Sequence, residues 1–229
     1  MAQQAKKADP NLCLAQAQYS YSLQYYRKSI EKYVEASTLF KENGNLHMGI
    51  YCFNTAISIA DNAAMFYIRN DRFDVAVDYL LIYRDLAARS GNDALIRYGD
   101  GLLFNSADIA FSRSLANTWH HESKENHEMV VLEASKALKM LDIMKDYVSI
   151  ETHSNDILEL NLKISIAEVN IGLKKWDKLD FAGAMSSFEI AQRRAIAAGD
   201  EKLTGSITRL KASLHEKSKI MDAVNAIRK

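Results

Sequence analysis

Proline occurs once and glycine nine times in 229 residues. Proline breaks helix interiors and glycine weakens helix and strand alike, so their scarcity leaves room for long uninterrupted helices. No run of 18 apolar residues is present, and with it goes any candidate transmembrane helix. Neither sign of charge dominates, since 29 Lys and Arg balance 29 Asp and Glu. A dedicated polyanion binder needs a cationic excess for its phosphate contacts, so nucleic acid is not an expected partner. Cysteine is limited to Cys13 and Cys52, too few and too isolated for a disulfide framework or a zinc site. Buried free thiols in a reducing cytoplasm are the expectation. "MAQQAKKADP" carries two lysines with no apolar stretch behind them, so residues 1–9 read as a flexible arm and not as a secretory signal.

What the chain does have is 48% hydrophobic content, recurring at helical spacing and without clear period-two alternation. This predicts an all-α fold of stacked antiparallel helical hairpins. No linker rich in Pro, Gly or Ser divides the chain, so 1–229 reads as one domain. Asp9 followed by Pro10 is a good N-cap and N1 pair. It opens a helix expected over 10–42, with Leu23, Tyr26, Ile30, Tyr33, Ser37 and Phe40 along one face. "ENGN" (42–45) stops it, Gly44 suiting the left-handed position past a helix end. Further breaks fall at "RND" (69–71), "SGND" (90–93), "HESKEN" (121–126), "ETHSND" (151–156), "DKLD" (177–180) and "AGDE" (198–201).

Eight helices result, over 10–42, 46–69, 72–90, 92–119, 126–147, 153–175, 180–198 and 201–228. Connections this short make successive helices antiparallel neighbours. The segment 201–229 reads as a capping helix with a stripe of Leu203, Ile207, Leu210, Leu214, Met221 and Val224. Seven basic against two acidic residues between Lys202 and Lys229 suit a solvated outer face and the helix dipole.

The middle units start near Leu46, Phe73, Asp100, His127, Ser154 and Phe181, a step of 27 residues, so two helices per 54 residues form the candidate repeat. Ile57-Ser58-Ile59-Ala60 returns as Ile164-Ser165-Ile166-Ala167. One residue of slippage later, Asn62 faces Asn170, Phe73 faces Phe181, Ala76 faces Ala184 and Gly91 faces Gly199. The matches are mostly small or apolar, as expected where a hairpin must stack on a neighbour to bury its face. The copy between them is degenerate, with His127 where the aromatic belongs.

Ile171-Gly172-x2-Lys175 is followed by Phe181-x2-Ala184-x3-Phe188-x2-Ala191, and Ala63-Ala64-x2-Tyr67 by Phe73-x2-Ala76-x3-Leu80-x2-Tyr83. A further match runs Tyr33, Ala36, Ser37, Phe40, then Leu46, Gly49, Phe53, Ala56. This spacing resembles the tetratricopeptide repeat, and the long helices are similar to the variety found in soluble NSF attachment proteins. The departures are helices longer than that family's repeat of about 34 residues, Ile196 in place of the usual proline, and Lys175 in place of a tyrosine. The resemblance implies an α-solenoid or a compact α-α superhelix that acts as a cytoplasmic, non-catalytic scaffold or adaptor, with a protein or peptide partner and no cofactor. It also implies that Asn62 and Asn170 occupy equivalent groove-facing places, with Arg69 and Lys174 nearby. Asparagine amides there hydrogen-bond an extended peptide backbone, and the cations hold a carboxylate.

Other chemistry is sparse. "WHHESKENHE" (119–128) holds His120, His121 and His127, but a zinc helix needs His-Glu-x-x-His and here Glu125 stands at the second histidine position. No metal site is expected. Arg113 and His120, bracketing "RSLANTWH", resemble the Arg-x4–6-His signature of the HEPN ribonucleases. That resemblance implies an arginine steadying phosphate and a histidine acting on a ribose 2′-hydroxyl. A structural homo-oligomer is a third reading. Ten of eleven tyrosines lie before position 99; they offer a sticky groove, or packing between helices.

Overall fold

The structure, a computed structural model, describes residues 9–147 and 153–227. Apart from Asp9, the expected N-terminal arm lies outside the described residues. Nine α-helices and no strand occur among the described residues. They are α1 (Pro10–Ser22), α2 (Tyr26–Glu42), α3 (Leu46–Arg69), α4 (Phe73–Ser90), α5 (Asp93–Glu122), α6 (His127–Met144), α7 (Ser154–Asp177), α8 (Phe181–Ala197) and α9 (Glu201–Ile227). Packing is sequential within the hairpins α1–α2, α2–α3, α3–α4, α6–α7, α7–α8 and α8–α9. The architecture is all-α, built of stacked antiparallel hairpins. No helix among the described residues is long and apolar enough to cross a membrane.

The helix expected over 10–42 is two helices. Leu23 caps α1, Gln24 takes φ 59°, and the Tyr25 amide donates back to the Ser20 carbonyl at 2.9 Å. Nothing in "SLQY" carries turn chemistry, and tertiary packing sets the break. The same reversal is used elsewhere, three times at glycine. Gly44, Asp71, Gly91, Glu125, Leu179 and Gly199 all have positive φ. At most of these turns, the amide of the following residue closes a ring to a carbonyl five positions back, as Asn45 does to Phe40 at 2.8 Å and Asp180 to Lys175 at 3.0 Å. That following residue is often an Asn or Asp that caps the next helix. Asn45 accepts from the Met48 amide at 3.1 Å, Asp180 from Gly183 at 2.9 Å and Asp200 from Leu203 at 2.8 Å. One residue ends a helix and its neighbour begins the next.

The 54-residue period survives in the helix boundaries. α4, α6 and α8 begin at Phe73, His127 and Phe181, and the left-handed turn residues Asp71, Glu125 and Leu179 keep the same step. α5 departs from it, starting at Asp93 under the Asn92 cap, so the expected start at Asp100 falls inside a helix. The match of Ile57–Ala60 with Ile164–Ala167 proves to be out of register. α3 and α7 are both 24 residues long and start 108 apart. At that offset Ile59 pairs with Ala167, Ala60 with Glu168 and Ala64 with Gly172, every one buried. The slipped alignment would set Ile59, 4% exposed, against Ile166, 45% exposed. Burial decides the register, and the four shared letters do not.

The chain divides into two compact units, 1–107 and 108–229. In the first, Ile30, Tyr33, Phe40, Cys52, Ala56, Ile57, Tyr83 and Leu86 belong to one core. Both free cysteines are buried there, and burial pushes each thiol above its usual range. Leu23, placed on the buried face by sequence, is exposed at the break. In the second unit Phe188, Ala184, Ala191, Ile207 and Leu214 form a core, with Leu203 and Leu210 of α9 against it. These are four of the six residues of the expected stripe; Met221 is not part of this core, and Val224 lies outside the described side chains. Full burial of a side chain such as Leu80 or Phe188 contributes about 1.5–3 kcal/mol.

Serine hydroxyls stitch the helices together. Ser29 donates to the Ala17 carbonyl at 2.9 Å, Ser37 to Gly49 at 2.7 Å and Ser165 to Ala191 at 2.8 Å. These reach the neighbouring helix only where small residues let backbones approach. At Gly172, on α7, a Cβ would lie 2.5 Å from the fully buried Phe188 ring of α8.

Two substitutions should therefore act in opposite directions. Gly172→Ala forces that ring to move and should cost about 1–3 kcal/mol, read as a lower urea midpoint. Leu179→Gly should gain about 0.5–1 kcal/mol, because a left-handed leucine costs about 1–2 kcal/mol and glycine returns part of that to chain entropy. Leu179 is 62% exposed, so little packing is lost. An unchanged or lower midpoint for Leu179→Gly would show that the turn is not strained.

Candidate functional site

Asn62 and Arg69 lie exposed on α3, in the first unit. Asn170 is half-buried and Lys174 exposed one turn later on α7, in the second unit. The Asn170 amide already donates to the Ile166 carbonyl at 3.1 Å, which leaves mainly its oxygen for a ligand. Asn62 and Asn170 are equivalent in the 108-residue register. Arg69 corresponds to Asp177, and Lys174 to Phe66, so the two cations are not equivalent to each other.

Arg113 and His120 share one face of α5, both exposed and two helical turns apart. The His120 ring lies 5.5 Å from that of His121. No group of three or more His, Cys, Asp or Glu among the described residues is arranged to hold a metal.

The most developed surface of the first unit is one that site-by-site reading of the sequence does not pick out. It gathers where α1 hands over to α2 and α3 to α4. Tyr67 stacks on Tyr79 at 5.5 Å and 12°. Tyr26 meets Tyr79 edge-on at 6.3 Å and Tyr21 edge-on at 6.0 Å, and lies tilted against Phe66 at 6.5 Å. Arg72 sits 6.0 Å over the Tyr67 ring. Phe66, at the edge of the cluster, is 47% exposed, and Tyr25, next to Tyr26 in sequence, is 60% exposed. A cavity of about 560 Å³ opens beside them, lined by Tyr25, Tyr26, Tyr79, Arg27 and Lys28 among others. Burial pushes the Tyr79 phenol above its usual range, and neighbouring Tyr67 adds to it. The surplus of early tyrosines was the available signal. It could not say which rings the break at Gln24 would bring together.

The equivalent slot of the second unit is filled differently. Lys175, standing at the tyrosine position, donates to the Ser187 hydroxyl at 3.1 Å. These two are the counterparts of Tyr67 and Tyr79. The departure from the repeat pattern is thus a polar bridge in the place of a ring stack.

No protein-family model and no curated protein matches the chain. Among solved structures it is similar to a circular tandem repeat protein with novel repeat topology, at 13% identity over 95% of this chain and 53% of that one, TM-score 0.25. It is similar to BtubC (BKLC) from P. vanneervenii at 12% identity over 92% and 91%, TM-score 0.21. It is also similar to the TPR2AB domain of yeast Sti1, solved as a pHSP90 complex, at 12% identity over 90% and 98%, TM-score 0.21. The chain spans about half the length of the first of these. The first is named as a tandem repeat protein and the third as a TPR domain. The repeat rests on this chain's own helix boundaries.

The carboxylate of Asp61, one residue before Asn62, is half-buried and accepts from the Tyr98 hydroxyl at 3.5 Å. Burial raises its pKa, against the lowering effect of that bond. A raised carboxyl favours folding at low pH and loses that contribution as pH climbs through the folded value. Asp61→Asn should therefore raise the melting temperature at neutral pH. Its advantage should vanish as pH falls below the ordinary aspartate range. An advantage that persists in acid would assign the effect to packing.

Proposed function

We propose that this chain is a non-catalytic protein-interaction module, a scaffold or adaptor that receives a peptide or partner helix. The observation that supports it is the ring cluster of the first unit. Exposed aromatics rimmed by arginine are the residues that dominate protein interfaces, because they supply rigid contact area at small entropic cost. Tyr25 and Phe66 stand at its edge, and the cavity beside them suits an apolar or aromatic anchor from a partner. Arg27, Lys28 and Arg72 favour a partner with acidic residues flanking that anchor. Asn62, Arg69, Asn170 and Lys174 serve in this reading as polar contacts to the partner's backbone and carboxylates.

The experiment is affinity capture of the tagged protein from its own cells, followed by mass spectrometry and nucleic-acid extraction. A stoichiometric protein partner is expected. Tyr25→Ala with Phe66→Ala should weaken its binding at least tenfold, about 1.4 kcal/mol, with little change in melting temperature. Asn62→Ala with Asn170→Ala should weaken it less. RNA recovered without protein, with cleavage abolished in His120→Ala, would replace this reading with the nuclease. A concentration-independent dimer with nothing else bound would replace it with a structural oligomer.

A further inference from the structure

A second pocket lies at the other end of α3, about 20 Å along the helix from Phe66. Its floor is the Phe53 ring. Lys41, in the last turn of α2, places its ammonium 5.3 Å from the ring centroid. Arg89, in the last turn of α4, places its guanidinium 5.5 Å from the same centroid. Thr38, Asn54 and Ser90 complete a cavity of about 310 Å³ whose lining contains no acidic residue.

Cations in a last turn offset the negative end of a helix, and that accounts for their sign. It does not account for two helices turning their charges onto the ring of a third. Nor is this the default position of Lys41. Its stem crosses α3 over Gly49, where a Cβ would stand 2.5 Å from the lysine Cγ. The gap left by that glycine lets the stem lie across the helix and the ammonium reach the pocket. Arg89 is held loosely by Asp85 at 3.6 Å, with both side chains largely in water. Lys41 has no carboxylate partner among the described residues. The pocket offers two cations, an amide and hydroxyls around an apolar floor, and no counter-charge within it.

We infer that this pocket binds an anionic side chain of a peptide, carboxylate or phosphorylated. Arg89 meets two of its oxygens side by side, Lys41 contributes a point charge, and Phe53 packs against the peptide's aliphatic stem. The site is independent of the ring cluster. Anion binding that persists in Phe66→Ala would show as much, and failure of one reading leaves the other standing.

The test is NMR titration of the full-length 15N-labelled protein with three unstructured peptides. They differ only at one central pair of residues: Glu-Glu, Gln-Gln, or phosphoserine-Gln. The Glu-Glu peptide should give saturable shifts at the amides of Gly49 and Phe53 and at the Arg89 side chain, and the Gln-Gln peptide none. Lys41→Ala and Arg89→Ala should each weaken binding about tenfold. Lys202→Ala, an exposed cation in the first turn of α9 in the second unit, should leave it unchanged. Tighter binding by the phosphoserine peptide would support the pocket as a reader of phosphorylated partners, and tighter binding by Glu-Glu as a reader of carboxylates. Equal shifts from Gln-Gln, equal loss in Lys202→Ala, or no saturation by about 10 mM, beyond a millimolar Kd, would overturn it.

Discussion

The hairpins depend on close approach of helix backbones, fixed by small residues and buried serines. Where Ser37 donates to Gly49, or Ser165 to Ala191, the hydroxyl is satisfied only by the neighbouring helix. Separating the pair would leave a buried donor unpaired, at a cost of about 1–3 kcal/mol. Such bonds are short and directional, so they hold register as well as distance. Gly172 beneath Phe188 does the same by shape. Larger features sit on this scaffold: the rings at one end of α3 and the cations at the other are carried by helices of which α2 and α3 are tied by the Ser37 bond.

The turns show why so much of the fold was legible. Glycine or a polar residue followed by Asn or Asp marks a helix end and the next helix start at once. Gly44-Asn45, Gly91-Asn92 and Gly199-Asp200 could be read directly. Leu179-Asp180 betrayed itself by its cap alone. Gln24-Tyr25 has neither signal, and its left-handed glutamine is imposed by packing that no local pattern reports. The register of the repeat failed for a related reason. Letters can coincide on opposite faces of a helix, and only burial distinguishes Ile59 from Ile166.

The candidate surfaces were harder to see, because each is assembled from several helices. Tyr26, Tyr67 and Tyr79 are separated by up to 53 positions in sequence, and Lys41 and Arg89 by 48. Composition hinted at the first group through the excess of early tyrosines. Nothing hinted at the second, because each cation taken alone is an ordinary helix-end charge. The asparagines at 62 and 170 stood out because they repeat, which is a signal about ancestry of the hairpin before it is one about ligands.

The recurrence of one reversal at Asp71, Glu125 and Leu179 also bears on how such a chain changes length. Each junction ends a helix in the same backbone state and starts the next helix at once. Cutting at any two of them and rejoining the ends restores an intact reversal. Unequal exchange between copies can therefore add or remove 54 residues without leaving a hairpin unclosed. A step of a single helix would strand a half-hairpin with its apolar face in water. Growth by whole hairpins is the mode of drift that this architecture tolerates.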